Sequence, residues 1–129
     1  GMFVASAGEK SRIVSNELIS KGEFYRGHLV NSLGLELAES VAEYVHTIMR
    51  KDVGIIDKDI SIDDVLKAKY QGNSFGYPAC PDLSDQEKLF GLLKPERFGI
   101  KLTEGYMMYP EASVSAIVFS QPFCKYFNI

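Results

Sequence analysis

The chain has 129 residues, 46% of them hydrophobic, which is the size of one ordinary domain, so residues 1–129 are predicted to share a single core. Its net charge is -3, and its lysines and arginines are interspersed with acids, which argues against nucleic acid or an anionic membrane as a partner. No apolar run approaches the ~18 residues that cross a bilayer, and the first residues lack the basic region of a secretory signal, so a cytoplasmic protein is predicted.

The N-terminal part of the chain is predicted to form a short strand and then a long helical stretch. Residues 3–5 are typical of a strand end, and residues 8–10 of the turn that follows. From about Ile13 the pattern becomes helical. Gly22, Gly27 and Gly34 are the candidate breaks or bends within it, and Gly34 is the predicted junction. Other structure should cover much of this helix, because an apolar stripe follows it. The stripe comprises Val30, Leu33, Leu37, Val41, Val45 and Ile48, widened by Leu35, Ala38, Ala42 and Met49.

Two shorter helices are predicted from their capping residues. Ser61 is a candidate cap for a helix over 61–69. Ser84 and Glu87 have the Ser-x-x-Glu spacing of a capping box, in which each side chain bonds a backbone N–H at the start of the helix. The second helix is therefore predicted over 84–93.

The last part of the chain is predicted to form strands. Residues 106–109 and 113–119 have strand character, and the second run is apolar on both faces over its latter half, which favours a central position in a sheet. Helices followed by strands predict an α+β fold, in which helices pack on a mostly antiparallel sheet.

One polar face of the long helix is a candidate metal or ligand site. Glu39, Glu43, His46 and Arg50 follow one another at spacings of four, three and four, and include a Glu-x-x-His pair. A di-iron site needs a second such pair and further carboxylates, so no metal is predicted. The face is interpreted as solvated with weak ion pairs, with a ligand groove as the alternative.

The sequence offers no recognisable catalytic set. Cys80 and Cys124 form no Cys-x-x-Cys pair and are predicted to be reduced thiols. His28 and His46 are the two histidines, and no Ser/His/Asp or Cys/His arrangement follows from their spacing. No catalytic residue is therefore assigned.

A rigid loop accompanied by aromatic residues is the best candidate for a binding site. Gly76, Pro78 and Pro81 fix an irregular backbone before the helix over 84–93. Aromatic and methionine side chains line such loops either as core or as the rim of an apolar pocket, and a pocket with exposed backbone amides suits a flat heterocycle such as adenine. The group consists of Phe75, Tyr77, Tyr106, Tyr109, Tyr126 and Phe127, with Met107 and Met108.

Several segments in one order resemble the activation domain of cobalamin-dependent methionine synthase. The resemblance covers nearly the whole chain and implies that family's fold, an α+β module with a twisted antiparallel sheet. The matching segments are 35–46, which ends in Ala-Glu-Tyr-Val-His, 70–72, the Gly-Tyr-Pro-Ala-Cys-Pro loop over 76–81, 101–104, 110–115, and 119–126.

The resemblance implies an accessory role in reactivating a cobalamin cofactor. In the family, the module docks on a cobalamin-binding domain, and S-adenosylmethionine donates a methyl group after one-electron reduction by a flavodoxin-like partner. The expected cofactors are therefore S-adenosylmethionine and a cobalamin carried by the partner. The chain is not expected to be catalytic alone, because the cofactors supply the chemistry.

The resemblance also implies the ligand-binding residues. The family site uses an Arg-x-x-x-Gly-Tyr motif, whose Gly-Tyr corresponds to Gly76 and Tyr77, and an aromatic pair near the end, which corresponds to Tyr126 and Phe127. Glu39 and Tyr109 lie in matched segments. The expected groove comprises Ser74, Phe75, Gly76, Tyr77, Pro78, Ala79, Tyr126, Phe127, Glu39 and Tyr109.

Two departures from the family support an alternative. Gly72 stands where the motif has arginine, which removes a partner for the ligand's carboxylate, and Arg26, Arg50 or Arg97 would have to replace it. The family's N-terminal part also has no counterpart here, which would leave an exposed face for a partner or a homodimer. The alternative is a scaffold without ligand that acts as an interaction or assembly domain for a corrinoid protein.

Overall fold

The computed structural model describes residues 1–52, 73–74 and 80–119. The helix predicted over 61–69 and Cys124 lie outside these ranges. The helices are α1 (Lys10–Ser20), α2 (Phe24–Asp52) and α3 (Gln86–Leu93). The strands are β1 (Met2–Ser6), β2 (Asn73–Ser74), β3 (Lys101–Leu102), β4 (Met108–Tyr109) and β5 (Ser113–Ile117).

The main sheet has three antiparallel strands in the order β1-β5-β2. Phe3 of β1 and Ser74 of β2 both lie opposite Ala116, so β5 is the central strand, as its apolar pattern predicted. The predicted α+β fold with an antiparallel sheet is confirmed. β5 ends at Ile117, two residues before the predicted end.

A separate two-stranded hairpin, β3 with β4, precedes β5. The strand predicted over 106–109 is shorter than expected, because Tyr106 has a positive φ of 60° and closes a turn by donating its N–H to Thr103 O at 2.9 Å. Pairing therefore begins only at Met108.

Helices cover both faces of the main sheet. Because successive side chains of a strand alternate between faces, Phe3 and Ala116 pack on one side against Ala42 of α2. Val4 and Ile117 point to the other side, where they pack against a buried cluster of Leu89, Phe90 and Ile100. The result is three layers: the pair α1 and α2, the sheet, and α3 with the hairpin.

The helical stretch is interrupted at Gly22, one of the three candidate breaks, and not at Gly34. Gly22, with a positive φ of 83°, lies in the turn between α1 and α2, whereas Gly34 lies buried within the unbroken 29-residue α2. The prediction of a junction at Gly34 was therefore wrong. Gly34 instead permits close helix packing, because a Cβ at this position would lie 2.6 Å from Ser11 Cβ of α1.

The buried face of α2 also differs from the predicted apolar stripe. Leu33, Leu37 and Ile48 are exposed to solvent. The helix lies close to α1 and the sheet, where only small side chains fit along most of the contact. The buried positions are Gly27, Gly34, Ala38, Ala42, His46 and Arg50.

The start of α3 is capped differently from the prediction. Ser84 does not begin the helix; it lies in a 3₁₀ turn, Leu83–Asp85. Asp82 accepts hydrogen bonds from the Ser84 backbone N–H at 2.9 Å and from the Ser84 hydroxyl at 2.6 Å. The capping-box prediction was wrong, because the two donors of Ser84 bond to Asp82, two residues earlier.

A buried polar network joins α3 to the sheet and to the hairpin turn. Gln86 is 3% exposed, donates from Nε2 to Tyr106 O at 2.9 Å and accepts from Ser115 Oγ at 2.9 Å. Both side chains are buried, so each bond satisfies a group that has lost contact with water.

We expect Ser115→Ala to lower the free energy of unfolding by about 1 kcal/mol, because it leaves the buried Gln86 Oε1 without this donor. Urea unfolding measures the change. Ser40→Ala is the matched control, since the Ser40 hydroxyl is exposed and bonds Glu36 O within its own helix. Equal losses in the two variants would contradict the argument from burial.

Among the helices that the structure describes, none has the length and apolar character needed to cross a bilayer.

Candidate functional site

The loop predicted to hold the ligand connects two described elements. Ser74 pairs in register with Ala116 of the central strand, and Cys80 packs against the cluster of Leu89, Phe90 and Ile100. Both ends of the loop are therefore held on the sheet and on the α3 layer. Phe75, Gly76, Tyr77, Pro78 and Ala79 lie between these ends.

These five loop residues, together with Tyr126 and Phe127, lie outside the residues that the structure describes. Their assignment to the groove stays a prediction. Of the ten expected site residues, Glu39 and Tyr109 are those with described side chains.

Glu39 lies on α2 between Ala38 and Ala42, two of the buried residues that face the rest of the fold. Partial burial, followed by repulsion from Glu36, raises the pKa of Glu39 above its ordinary value of 4.5. The structure therefore places an acidic group at the edge of the packed face of α2, in an environment that favours a cationic neighbour.

Tyr109 is engaged with α1. Its hydroxyl donates a hydrogen bond to Glu9 Oε2, next to the first residue of that helix. This bond, together with the negative charge of Glu9, raises the pKa of Tyr109 above 10.0. The tyrosine thus links β4 to α1, and its place in a ligand groove stays a prediction.

The polar face predicted to be solvated is exposed at Glu39, half-buried at Glu43, and buried at His46 and Arg50. Glu43 Oε1 lies 3.4 Å from Arg50 Nη2, which also donates to Thr47 Oγ1 at 3.1 Å. His46 Nδ1 lies 3.3 Å from Arg50 Nη1 and 3.9 Å from Glu43 Oε2. The His46 and Arg50 side chains are 5% and 4% exposed, whereas that of Glu43 is 39% exposed.

The helix geometry explains why His46 and Arg50 are buried. Residues four apart lie on one face, so the row that starts at Ala38 and Ala42 continues through His46 and Arg50. The packed face of α2 thus changes from small apolar side chains to polar ones toward its C-terminal end. The spacing of four from Ala38 was the signal in the sequence that would have identified His46 and Arg50 as buried.

The network has an electrostatic consequence at Glu43. The neighbouring His46 ring and the Arg50 guanidinium hold the pKa of this carboxyl below its ordinary value of 4.5, against the opposing effect of partial burial. Glu43 is therefore ionised near neutral pH. Two carboxylates on the same helix, Glu39 and Glu43, consequently have pKa values shifted in opposite directions.

The three arginines considered as replacements for the motif arginine lie in different environments. Arg26 pairs with Glu23 and is 69% exposed. Arg97 is also exposed and lies over the Phe98 ring, 4.9 Å from its centroid. Of the three, Arg50 is the buried one, and its contacts hold its guanidinium in a fixed position.

Potential metal ligands and one cysteine lie within the described part of the chain. Within 1–52, 73–74 and 80–119, no cluster of three His, Cys, Asp or Glu side chains is arranged to hold a metal ion. Cys80 is a free thiol, and burial, with the charges of Asp85 and Asp82, raises its pKa above 9.0. A raised pKa disfavours the reactive thiolate.

Comparison with known proteins gives one consistent result. The family model described as "Vitamin B12 dependent methionine synthase, activation domain" matches residues 1–129. Methionine synthase of Mycobacterium tuberculosis (strain ATCC 25618 / H37Rv) is 36% identical over 98% of this chain, and that of Mycobacterium leprae (strain TN) is 38% identical over 81%. A crystal structure of the MetH reactivation domain bound to AdoHcy matches with a TM-score of 0.88 and 32% identity.

The matched region is a small part of these relatives. It covers 11% of the M. tuberculosis protein and 10% of the M. leprae protein. In the solved reactivation domain it covers 98% of this chain and 40% of the other. The chain thus spans about a tenth of the length of these two curated relatives.

Proposed function

Since this chain belongs to the family of vitamin B12-dependent methionine synthase activation domains, we propose that it binds S-adenosylmethionine for the reductive methylation, and hence reactivation, of a cobalamin cofactor. The observation that carries the proposal is the match of 98% of the chain, at a TM-score of 0.88, to a reactivation domain bound to AdoHcy. AdoHcy is what S-adenosylmethionine becomes after it has given up its methyl group. The relative thus holds the product of the proposed transfer.

In this proposal the chain binds and orients the methyl donor. Cobalamin, carried by a partner domain or protein, supplies the cobalt chemistry, and the electron comes from a reductant. The loop over 75–79 and the pair Tyr126 and Phe127 would hold the adenosyl part by stacking and backbone hydrogen bonds. Holding a donor in a fixed direction toward its acceptor is the main contribution of such a site.

The charges of the described residues suit the proposed ligand. S-adenosylmethionine carries a positive sulfonium, and Glu39 is the acidic side chain among the ten proposed site residues. Glu39 is solvent-exposed, so its carboxylate is open to a cationic ligand. The methionine part also carries a carboxylate, which needs a cationic partner in place of the motif arginine.

The proposed partners differ in how well they are supported. Membership of the family supports a cobalamin-binding domain or protein as the main partner. A flavodoxin-like reductant and a second copy of this chain are finer parts of the proposal, and the second copy is suggested by an exposed apolar face of α2.

The proposal predicts saturable, micromolar binding of S-adenosylmethionine, measured by calorimetric titration at low salt. Glu39→Gln should weaken this binding roughly tenfold, because a charged contact is replaced by a neutral one. The same variant should weaken binding of S-adenosylhomocysteine less, since that ligand has no sulfonium charge.

Glu17→Gln, which removes an exposed carboxylate from α1, is the control and should leave both affinities unchanged. If Glu39→Gln loses the same factor of affinity for both ligands, Glu39 does not contact the sulfonium. No heat up to millimolar ligand with the wild-type chain would overturn the binding proposal and favour the alternative, an assembly domain for a corrinoid protein.

A further inference from the structure

The segment that carries the proposed ligand loop begins on the sheet and ends at the start of α3. Its first residue, Ser74, pairs in register with Ala116 of the central strand. Its last residue, Gln86, begins α3, and between them Cys80 packs against the buried cluster of the α3 layer. Both ends of the segment therefore belong to parts of the fold that pack against each other.

A buried hydrogen bond joins these two ends. Ser115 precedes Ala116 on β5, and its hydroxyl donates to Gln86 Oε1 at 2.9 Å. Both Ser115 and Gln86 are 3% exposed, so little water can compete for the bond. The pairing of Ser74 with β5, the bond from Ser115 to Gln86 and the chain over 74–86 together form a closed ring.

Gln86 also holds the turn that precedes β4. Its Nε2 donates to Tyr106 O at 2.9 Å, and Tyr106 has a positive φ of 60°, which is uncommon for a residue with a side chain. One buried side chain thus fixes the end of the ligand segment relative to the central strand and to the hairpin that carries Tyr109.

We propose that Gln86 and Ser115, here called the loop clamp, are positioning residues that hold the loop over 75–79 in the conformation that binds S-adenosylmethionine. The inference rests on the proposed function and adds to it two residues that act through the loop. A loop fixed at both ends has less freedom to lose when a ligand binds. Without the clamp, only a fraction of the molecules would hold the loop in the binding conformation, and the apparent affinity would fall by that fraction.

The test is calorimetric titration of clamp variants with S-adenosylmethionine and with S-adenosylhomocysteine. Gln86→Met keeps the length of the side chain without its amide, and Ser115→Ala removes the hydroxyl. Each should weaken binding of both ligands by the same factor, about tenfold, which corresponds to one buried hydrogen bond. Equal factors are expected because the clamp acts on the loop and not on the sulfonium.

Two further variants test whether the bond itself is responsible. The double variant Gln86→Met with Ser115→Ala should lose little more affinity than Gln86→Met alone, because both changes break the same bond. Ser115→Thr keeps the hydroxyl and should bind both ligands nearly as the wild type does. Losses that multiply in the double variant would overturn a shared action of the two residues.

A control separates positioning from stability. Ile19→Ala is suitable, because Ile19 lies against Gly27 where α1 meets α2, on the other side of the sheet from the clamp. It should lower the urea midpoint of unfolding much as Ser115→Ala does, and it should leave both affinities unchanged. Clamp variants that lose stability but bind both ligands as the wild type does would overturn the proposal, because the network would then be structural alone.

Amide hydrogen exchange, followed by mass spectrometry, needs no ligand. Peptides that span 74–86 should exchange roughly tenfold faster in Gln86→Met than in the wild type or in Ile19→Ala. If the wild type binds neither ligand, the proposed function fails, and exchange rates in Gln86→Met equal to those of the wild type would overturn the clamp as well.

Discussion

Gly34→Ala will lower the free energy of unfolding by about 2 kcal/mol, although alanine is the better helix former by about 1 kcal/mol. The added methyl group would lie 2.6 Å from Ser11 Cβ, so α1 and α2 would have to separate or Ser11 would have to shift. Both changes disturb a close contact between two helices. Chemical denaturation with circular dichroism as the probe gives the change.

The chain offers a matched control in Gly91 of α3, where an added Cβ has no neighbour within 4 Å. Gly91→Ala should raise stability by up to about 1 kcal/mol, because alanine restricts the unfolded chain and favours the helix. The double variant Ser11→Gly with Gly34→Ala should recover much of the loss, since it restores the space between the helices. A neutral or stabilising Gly34→Ala would show that the helices relax at little cost.

Arg50→Met will lower the free energy of unfolding by about 3 kcal/mol, because methionine replaces the aliphatic part of the side chain but none of its donors. Glu43, Thr47 and His46 would each lose a hydrogen-bond partner in a mostly buried environment. Arg26→Met is the control, because Arg26 pairs with Glu23, three residues earlier, at the surface and should change stability by less than about 0.5 kcal/mol.

The same network predicts how stability depends on pH. The pKa of Glu43 is lowered in the folded state, so below about pH 4.5 the unfolded chain binds the proton first. The stabilisation by Glu43 is therefore present above pH 4.5 and is lost as the pH falls through its lower folded pKa. Unfolding free energies measured between about pH 6 and pH 3 should fall less steeply in Arg50→Met than in the wild type. Parallel curves would exclude Arg50 as a cause of the shift.

The sequence predicted the structure correctly where a residue's position depends on the local pattern. The alternation of Val114 and Ala116 with Ser115 and Ile117 identified the central strand, because both faces of β5 are covered. The end of α3 was likewise predictable, since Pro95 cannot continue a helix.

The sequence alone did not predict which face of a helix packs against its neighbours. Leu33 and Leu37 have the spacing of core residues, yet Gly34 and Ala38 form the buried face, since α2 lies too close to its neighbours for leucine. The same limit applies to Arg50, whose burial follows from the row it shares with Ala38. At the site, the resemblance to a family predicted Glu39 and Tyr109, and the structure added their neighbours: Glu36, which repels Glu39, and Glu9, which accepts a hydrogen bond from Tyr109.

The position of β5 in the chain has a consequence for how the protein folds. The pairing of β1 with β5 joins parts of the chain that are far apart, as in the bond from Ser6 Oγ to Ala112 O across 106 positions. α1 and α2, in contrast, can pack as soon as both have been synthesised. During translation β1 has no strand partner among the described strands until β5 is made, so the sheet forms late and a large loop must close first. A ribosome that pauses before β5 would hold a helical hairpin whose first strand is still open to other partners.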